Sequence, residues 1–205
     1  MLQVSNLTCV RGGRQLFSGV GFEVAPGGLL HLKGTNGAGK TSLLRILCGL
    51  LHQDGGDIRW NGAPVNTAVE AFRSDLFYLG HQNAMQEALT VDENLQFYAA
   101  LSGQTPDAKK TVAALGELGV RACQHRLVRH LSQGQKRRVA LSRLLMTPAR
   151  LWILDEPFVA LDQQAIQSLS AVVGQHLHSG GMVILTSHQN VDIGSVQPHV
   201  LELGT

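Results

Sequence analysis

Residues 34–41 read GTNGAGKT. The spacing GxxxxGK[ST], with an apolar stretch before it and an amphipathic one after, is built to cradle a phosphate chain. Gly34, Gly37 and Gly39 let the backbone wrap an anion without β-carbon clashes, while the loop amides and the positive end of the following helix point at it. Lys40 brings a point charge to the β- and γ-phosphates, and the Thr41 hydroxyl is a ligand for Mg²⁺. Such a loop needs an acidic partner on a neighbouring strand, and LWILDEP at 151–157 supplies it. Asp155 ends the apolar run and is placed to bind Mg²⁺, directly or through water. Glu156 follows it and can orient a water and take its proton. Asp-Glu after a strand is by itself an ordinary solvated turn; a complete phosphate loop in the same chain gives it meaning. The chemistry is hydrolysis of a nucleoside triphosphate, with phosphoryl transfer to a small molecule left open by these residues alone.

A third stretch, LSQGQKRR at 131–138, sets a helix start against three adjacent cations. Ser132 with Gln135 three residues later predicts a capping box. A capped helix start is itself an anion site, so the Ser132 hydroxyl and the amides near Gly134 can meet a phosphate. On the helix that follows, Val139, Leu141, Leu144 and Leu145 form the apolar side, and Lys136, Arg137 and Arg138 fall on or near the other. The cations are expected to be a solvated face, with a nucleic-acid patch as the sharper alternative. Thr90 and Glu93 repeat the capping-box spacing at another helix start. The nine histidines form no HExxH and no Cys/His cluster, so histidine-bound metal is not expected.

These residues need elements to hold them. Strands are expected at 2–9, 16–24 and 27–34, with turn-type Gly and Pro between them. A helix is predicted over 40–50, from the apolar positions Leu43, Leu44, Ile46, Leu47 and Leu50. Strands at 54–60 and 75–80 precede a mostly helical region from about Thr90 to Leu145 in three or four pieces. Strands at 151–155 and 182–187 flank a helix near 162–178, and 199–203 is a last strand. The runs LWIL and MVIL suit central strands buried on both faces. The reading is one α/β domain over 1–205, with a β core at 1–82 and 146–205 and a helical segment at 83–145. Apolar residues are 44% of the 205-residue chain, charged residues 16%, and the net charge is +2, which suits a globular core and argues against a general polyanion binder. Three scattered cysteines fit a reducing compartment. No signal peptide is read at the N-terminus, and no apolar run is long enough to span a membrane.

The motifs in their order resemble the ATP-binding cassette family over essentially the whole chain. GTNGAGKT is similar to its Walker A, LSQGQ to its signature motif and LWILDEP to its Walker B; Gln82 in LGHQ is similar to its Q-loop glutamine, ALD at 160–162 to its D-loop, and His188 to its switch histidine. The resemblance implies a P-loop NTPase fold with an inserted helical subdomain and an N-terminal antiparallel β portion. It implies ATP held by Gly34, Thr35, Asn36, Gly37, Ala38, Gly39, Lys40, Thr41 and Ser42, and Mg²⁺ by Thr41, Gln82 and Asp155. It implies two cassettes paired head to tail, so that Ser132, Gly134 and Gln135 of one cover the γ-phosphate held by the other, with Asp162 beside them. Glu156, His188 and Gln82 are the implied catalytic set. Two positions depart from the family pattern: Gln133 stands where Gly is usual, and the adenine-stacking aromatic is replaced in CVRGGR, where the Arg11 guanidinium plane is offered instead.

Within the family, GTNGAGKTSLLRILCGL, LGHQNAMQEALTVDENLQFY and LWILDEPFVALD look like the ATP-binding subunit of haem exporters of cytochrome c maturation. That likeness implies a homodimer bound to an integral membrane subunit at the cytoplasmic face of a bacterial inner membrane. Its hydrolysis would drive release of a haem chaperone from its haem-loading complex, without direct contact with nucleic acid. No CxxCH is present, so haem itself is expected on partners. An ATPase of another exporter, and a soluble nucleic-acid-binding cassette protein, are the alternatives.

Overall fold

The computed structural model describes residues 1–188, 192–194 and 196–204. In chain order its elements are β1 (Leu2–Arg11), β2 (Arg14–Val24), β3 (Leu29–Gly34), α1 (Lys40–Leu47), β4 (Gly55–Trp60), β5 (Ala63–Pro64), α2 (Val69–Ser74), β6 (Leu76–Leu79), α3 (Val91–Leu101), α4 (Ala108–Glu117), α5 (Gln133–Met146), β7 (Leu151–Leu154), α6 (Gln163–His178), β8 (Met182–Thr186) and β9 (His199–Leu203). Two short 3₁₀ turns lie between α4 and α5.

The strands form two sheets. An antiparallel one runs β2-β1-β4-β5, and a parallel one runs β6-β7-β8-β3-β9. Alternation along β1 places Leu2 and Val4 inside, then slips at Asn6, whose φ is +51°, so that Leu7 and Cys9 return to the same buried face. In the parallel sheet, β7 and β8 are buried at every position, as their unbroken apolar sequences require. Trp152, Leu154, Val183 and Leu185 pack with residues of α3, α4, α5 and α6. Leu151, Ile153, Met182 and Ile184 face the opposite way, toward α1 and the antiparallel sheet. The parallel sheet is thus the wall between two cores. The carboxyl ends of β3, β7 and β8 lie side by side, the usual place for a ligand in such a sheet.

Both expected capping boxes are present, at Thr90 with Glu93 and at Ser132 with Gln135. The helix expected over 40–50 stops at Leu47. Gly49 takes φ +67°, its N–H donates to Ile46 O, and that of Leu50 donates to Arg45 O. This left-handed closure ends the helix and leaves Leu50 62% exposed, although its apolar spacing fitted the helix. The short β5 and α2 fall where the periodicity is too brief to read; α2 is placed by Phe72, which packs edge-on to Trp60 at 5.6 Å.

Candidate nucleotide site

The loop between β3 and α1 supplies one wall of a cavity of about 510 Å³, lined by Leu16, Asn36, Gly37, Gly39, Lys40, Thr41, Ser42, His81, Asp155, Glu156 and His188. Its start is fixed by close packing. A β-carbon on Gly34, whose φ is +146°, would stand 2.6 Å from Leu203 O, so β9 admits only glycine there. Lys40 Nζ donates to Gly34 O at 2.7 Å and Thr35 O at 3.2 Å, which folds its ammonium back over the loop. Thr35 and Ala38 form the loop's turn, with Ala38 N donating to Thr35 O. The helices α3, α4, α5 and α6 each start under a side-chain cap, from Thr90, Asp107, Ser132 and Asp162; α1, from Gly39, and the short α2, from Ala68, have none. The first-turn amides of α1, beside Lys40, fit a polyanion such as a triphosphate.

The opposite wall comes from the ends of β7 and β8. Asp155 is 3% exposed; its Oδ2 accepts from Thr41 Oγ1 at 2.9 Å and its Oδ1 from Thr186 Oγ1 at 2.7 Å. A hydroxyl and a buried carboxylate meeting at the phosphate end of the cavity form an oxygen donor set that suits Mg²⁺. Glu156 stands at φ +50°, a costly backbone state for a side-chain-bearing residue. Its N–H donates to Thr186 Oγ1 at 2.8 Å and its carbonyl accepts from Arg137 Nη2 at 2.8 Å, so the strained peptide is gripped on both sides. The Glu156 carboxylate thereby turns into the cavity, with His188 Nε2 3.4 Å from its Oε1. Behind them, His31 Nε2 lies 3.1 Å from Ser187 O. Burial pushes the pKa of His31 below the ordinary histidine value, which keeps the ring neutral and able to donate to that carbonyl.

The remaining expected residues fall elsewhere. Gln82 lines an adjoining cavity of about 610 Å³ that shares Thr41, His81 and Asp155 with the first. Ser132, Gly134 and Gln135 are outside the cavity of their own chain. Ser132 Oγ accepts from Gln135 N, and Gly134 lies against the Ala160 carbonyl, 2.7 Å from where a β-carbon would stand. Asp162 caps α6 through Ala165 N and lies 3.6 Å from Arg138 Nη2. Arg11 does not line the cavity: its guanidinium donates to Val10 O, His52 O and Asp54, and the β2 residue Leu16 lines the cavity instead. The reason is local, because Asp54 also accepts from Val10 N and draws the arginine to the β1–β4 edge.

The solvated-face reading of the three cations is wrong for Arg137, which is 4% exposed and donates to main-chain carbonyls. Burial lowers its pKa, opposed by the charges of Asp155 and Glu156. Lys136 pairs with Glu87 at 2.6 Å, and Arg138 faces Asp162. None of the three is left as a free cationic patch. Thr186, His31, His81, Leu16 and Arg137 are the site residues that sequence reasoning missed. The signal for Thr186 was a hydroxyl ending an otherwise apolar central strand. No group of three or more His, Cys, Asp or Glu placed to hold a metal occurs among the described residues.

Residues 17–159 match the ABC transporter family. The chain belongs to the ABC transporter family. It is 53% identical over 202 residues to the cytochrome c biogenesis ATP-binding export protein CcmA of Albidiferax ferrireducens, a match covering 98% of this chain and 96% of that one. The protein of the same name from Dechloromonas aromatica is 48% identical, with full coverage of both chains. Among solved structures, a putative ABC transporter ATP-binding protein from Pyrococcus furiosus superposes with a TM-score of 0.83 at 26% identity, over 98% of this chain and 96% of that one. The ATP-binding cassette MJ0796, in a dimeric post-hydrolysis state bound to ADP and Pi, superposes at 0.85 and shares the fold at 19% identity, covering 99% of this chain and 94% of that one. The ABC transporter family places this chain among ATP-binding proteins that are ATPases. No helix among the described residues of this cassette is long and apolar enough to cross a membrane.

Proposed function

We propose that this cassette is the ATP-hydrolysing subunit of a membrane exporter complex serving cytochrome c maturation. The observation that carries the ATPase reading is the convergence of Lys40, Thr41, Asp155, Glu156 and His188 on one cavity at the carboxyl ends of three adjacent strands. The names of relatives identical at 48–53% over nearly the whole chain support the cytochrome c role. Lys40 and the uncapped start of α1 bind and orient the triphosphate. Thr41 and Asp155, with Gln82 adjoining, are the residues to hold Mg²⁺, which when bound supplies charge neutralisation at the phosphates. Glu156 orients the attacking water and accepts its proton, and His188, beside that carboxylate, contacts the γ-phosphate. Ser132, Gly134 and Gln135 complete the site of a second copy in a head-to-tail pair; in support, Ser132 is exposed and none of the three lines the cavity of its own chain. The pair sits on an integral membrane subunit at the cytoplasmic face of the inner membrane and acts through it on a haem-handling complex whose haem chaperone is periplasmic. Arg11 is held by Asp54 outside the cavity, whereas Leu16 of β2 lines it and offers an apolar contact for a base.

Replacing the chromosomal copy with Lys40→Ala tests the reading. Loss of covalently bound haem from c-type cytochromes, with other haem proteins intact, is the expected outcome. Normal c-type cytochromes in cells lacking the ATPase activity would refute the maturation role.

A further inference from the structure

Arg137 stands two residues beyond the LSQGQ stretch, at the start of the second turn of α5, and its side chain is buried. A guanidinium has five N–H donors in a fixed plane. All five have acceptors here. Nη2 donates to Asp155 O at 2.9 Å and Glu156 O at 2.8 Å; Nη1 donates to Gly80 O and Asn83 Oδ1, both at 3.1 Å; Nε reaches Pro157 O at 3.5 Å. None of the acceptors is a carboxylate. The group therefore forms no direct ion pair and instead ties together backbone from two distant stretches.

Those stretches are 155–157, which carries Asp155 and Glu156, and 80–83, which contains Gln82. Both follow the ends of neighbouring parallel strands, β7 and β6. The tie also reaches Glu156, one of five described non-glycine residues with positive φ. Glu156 at φ +50° keeps that backbone state only if its surroundings over-determine it. The Glu156 N–H is held from β8 by Thr186, and its carbonyl from α5 by Arg137. Burying a guanidinium is costly, and an arrangement that meets every donor with a carbonyl at two functional stretches is poorly explained as packing alone.

We propose that Arg137 is a positioning residue for ATP hydrolysis: it holds the Glu156 peptide in its left-handed state and locks the 80–83 segment to it, so that α5, the Gln82 segment and the general base move as one unit. The inference rests on the reading of Glu156 as general base. Removing the guanidinium frees the Glu156 carbonyl while leaving Lys40 and the loop untouched. Turnover is then lost and nucleotide binding kept.

The test is steady-state ATP turnover by the full chain co-purified with its membrane partner, for Arg137→Gln, Arg137→Lys and Glu156→Gln, with folding followed by circular dichroism and thermal melting. Arg137→Gln should lower kcat by about 10²-fold, the usual cost of a misplaced reacting group, with KM for ATP within about threefold of wild type. Arg137→Lys keeps the charge but offers three donors instead of five, and should fall between the two. It also remains readable should Arg137→Gln fail to fold. Wild-type kcat in a folded Arg137→Gln or Arg137→Lys protein would overturn the proposal, as would a parallel loss of kcat and nucleotide affinity. Full activity of Glu156→Gln would instead remove the general-base reading itself, whereas an inactive Glu156→Gln beside an active Arg137→Gln would sink this inference alone.

Discussion

Thr186→Val removes a single oxygen from the centre of the site and leaves the side-chain shape nearly unchanged. In the wild type, Thr186 is fully buried; its hydroxyl accepts from the Glu156 N–H at 2.8 Å and donates to Asp155 Oδ1 at 2.7 Å. Valine leaves a carboxylate oxygen without its donor, costing about 1.5–3 kcal/mol, and a part-buried N–H without its acceptor, about 1 kcal/mol more. A total of about 3 kcal/mol corresponds to a melting temperature lower by about 6–12 °C in a chain of this size. Thr186→Ser keeps both hydrogen bonds and loses one buried methyl, about 1 kcal/mol or about 2–4 °C. Activity should separate the two more sharply. Valine loosens one of the two grips on the strained Glu156 peptide, so turnover falls by about 10²-fold. Serine should remain within about threefold. Differential scanning calorimetry with ATPase assays on both variants decides the matter. A valine variant as stable and active as the serine one would refute the view that this hydroxyl organises the two carboxylates.

Glu156→Gln should retain ATP binding, lose about 10²–10⁴-fold in turnover, and accumulate an ATP-bound pair visible by size exclusion; a chain that stays monomeric with saturating ATP in the presence of its membrane partner would contradict the composite site. Gly34→Ala drives a β-carbon to 2.6 Å from Leu203 O at a φ suited to glycine, so a loss of about 2 kcal/mol or more is expected, with weaker nucleotide protection in thermal shift. Acid should destabilise the fold through His31 and His176, whose pKa values burial lowers. The unfolded chain binds more protons between each depressed folded value and about 6.5, so stability is present above that range and is lost as pH falls through it. His31→Gln should flatten part of the decline between pH 7 and 5 in denaturant titrations, and an unchanged slope would show that the ring is not buried neutral.

The sequence alone determined whatever depends on local spacing. GTNGAGKT required a strand-loop-helix unit with a phosphate-binding turn, LWIL and MVIL required strands buried on both faces, and Ser132 with Gln135 required a capped helix, because each is written within a few residues. Where a helix ends was less legible: apolar spacing carried through Leu50, and Gly49 stopped the helix by a backbone geometry that periodicity does not express. Only the tertiary structure decided which distant groups meet. Three consecutive cations looked equivalent on a helix, yet the packing of α5 under the ends of β6 and β7 buried Arg137 against five oxygens and left Lys136 and Arg138 to partners at the surface. Arg11 was drawn from the cavity by Asp54, 43 residues away in sequence. The strained Glu156 owes its conformation to Thr186 and Arg137, which a linear pattern cannot bring together, because parallel strand order is set by burial across the whole sheet.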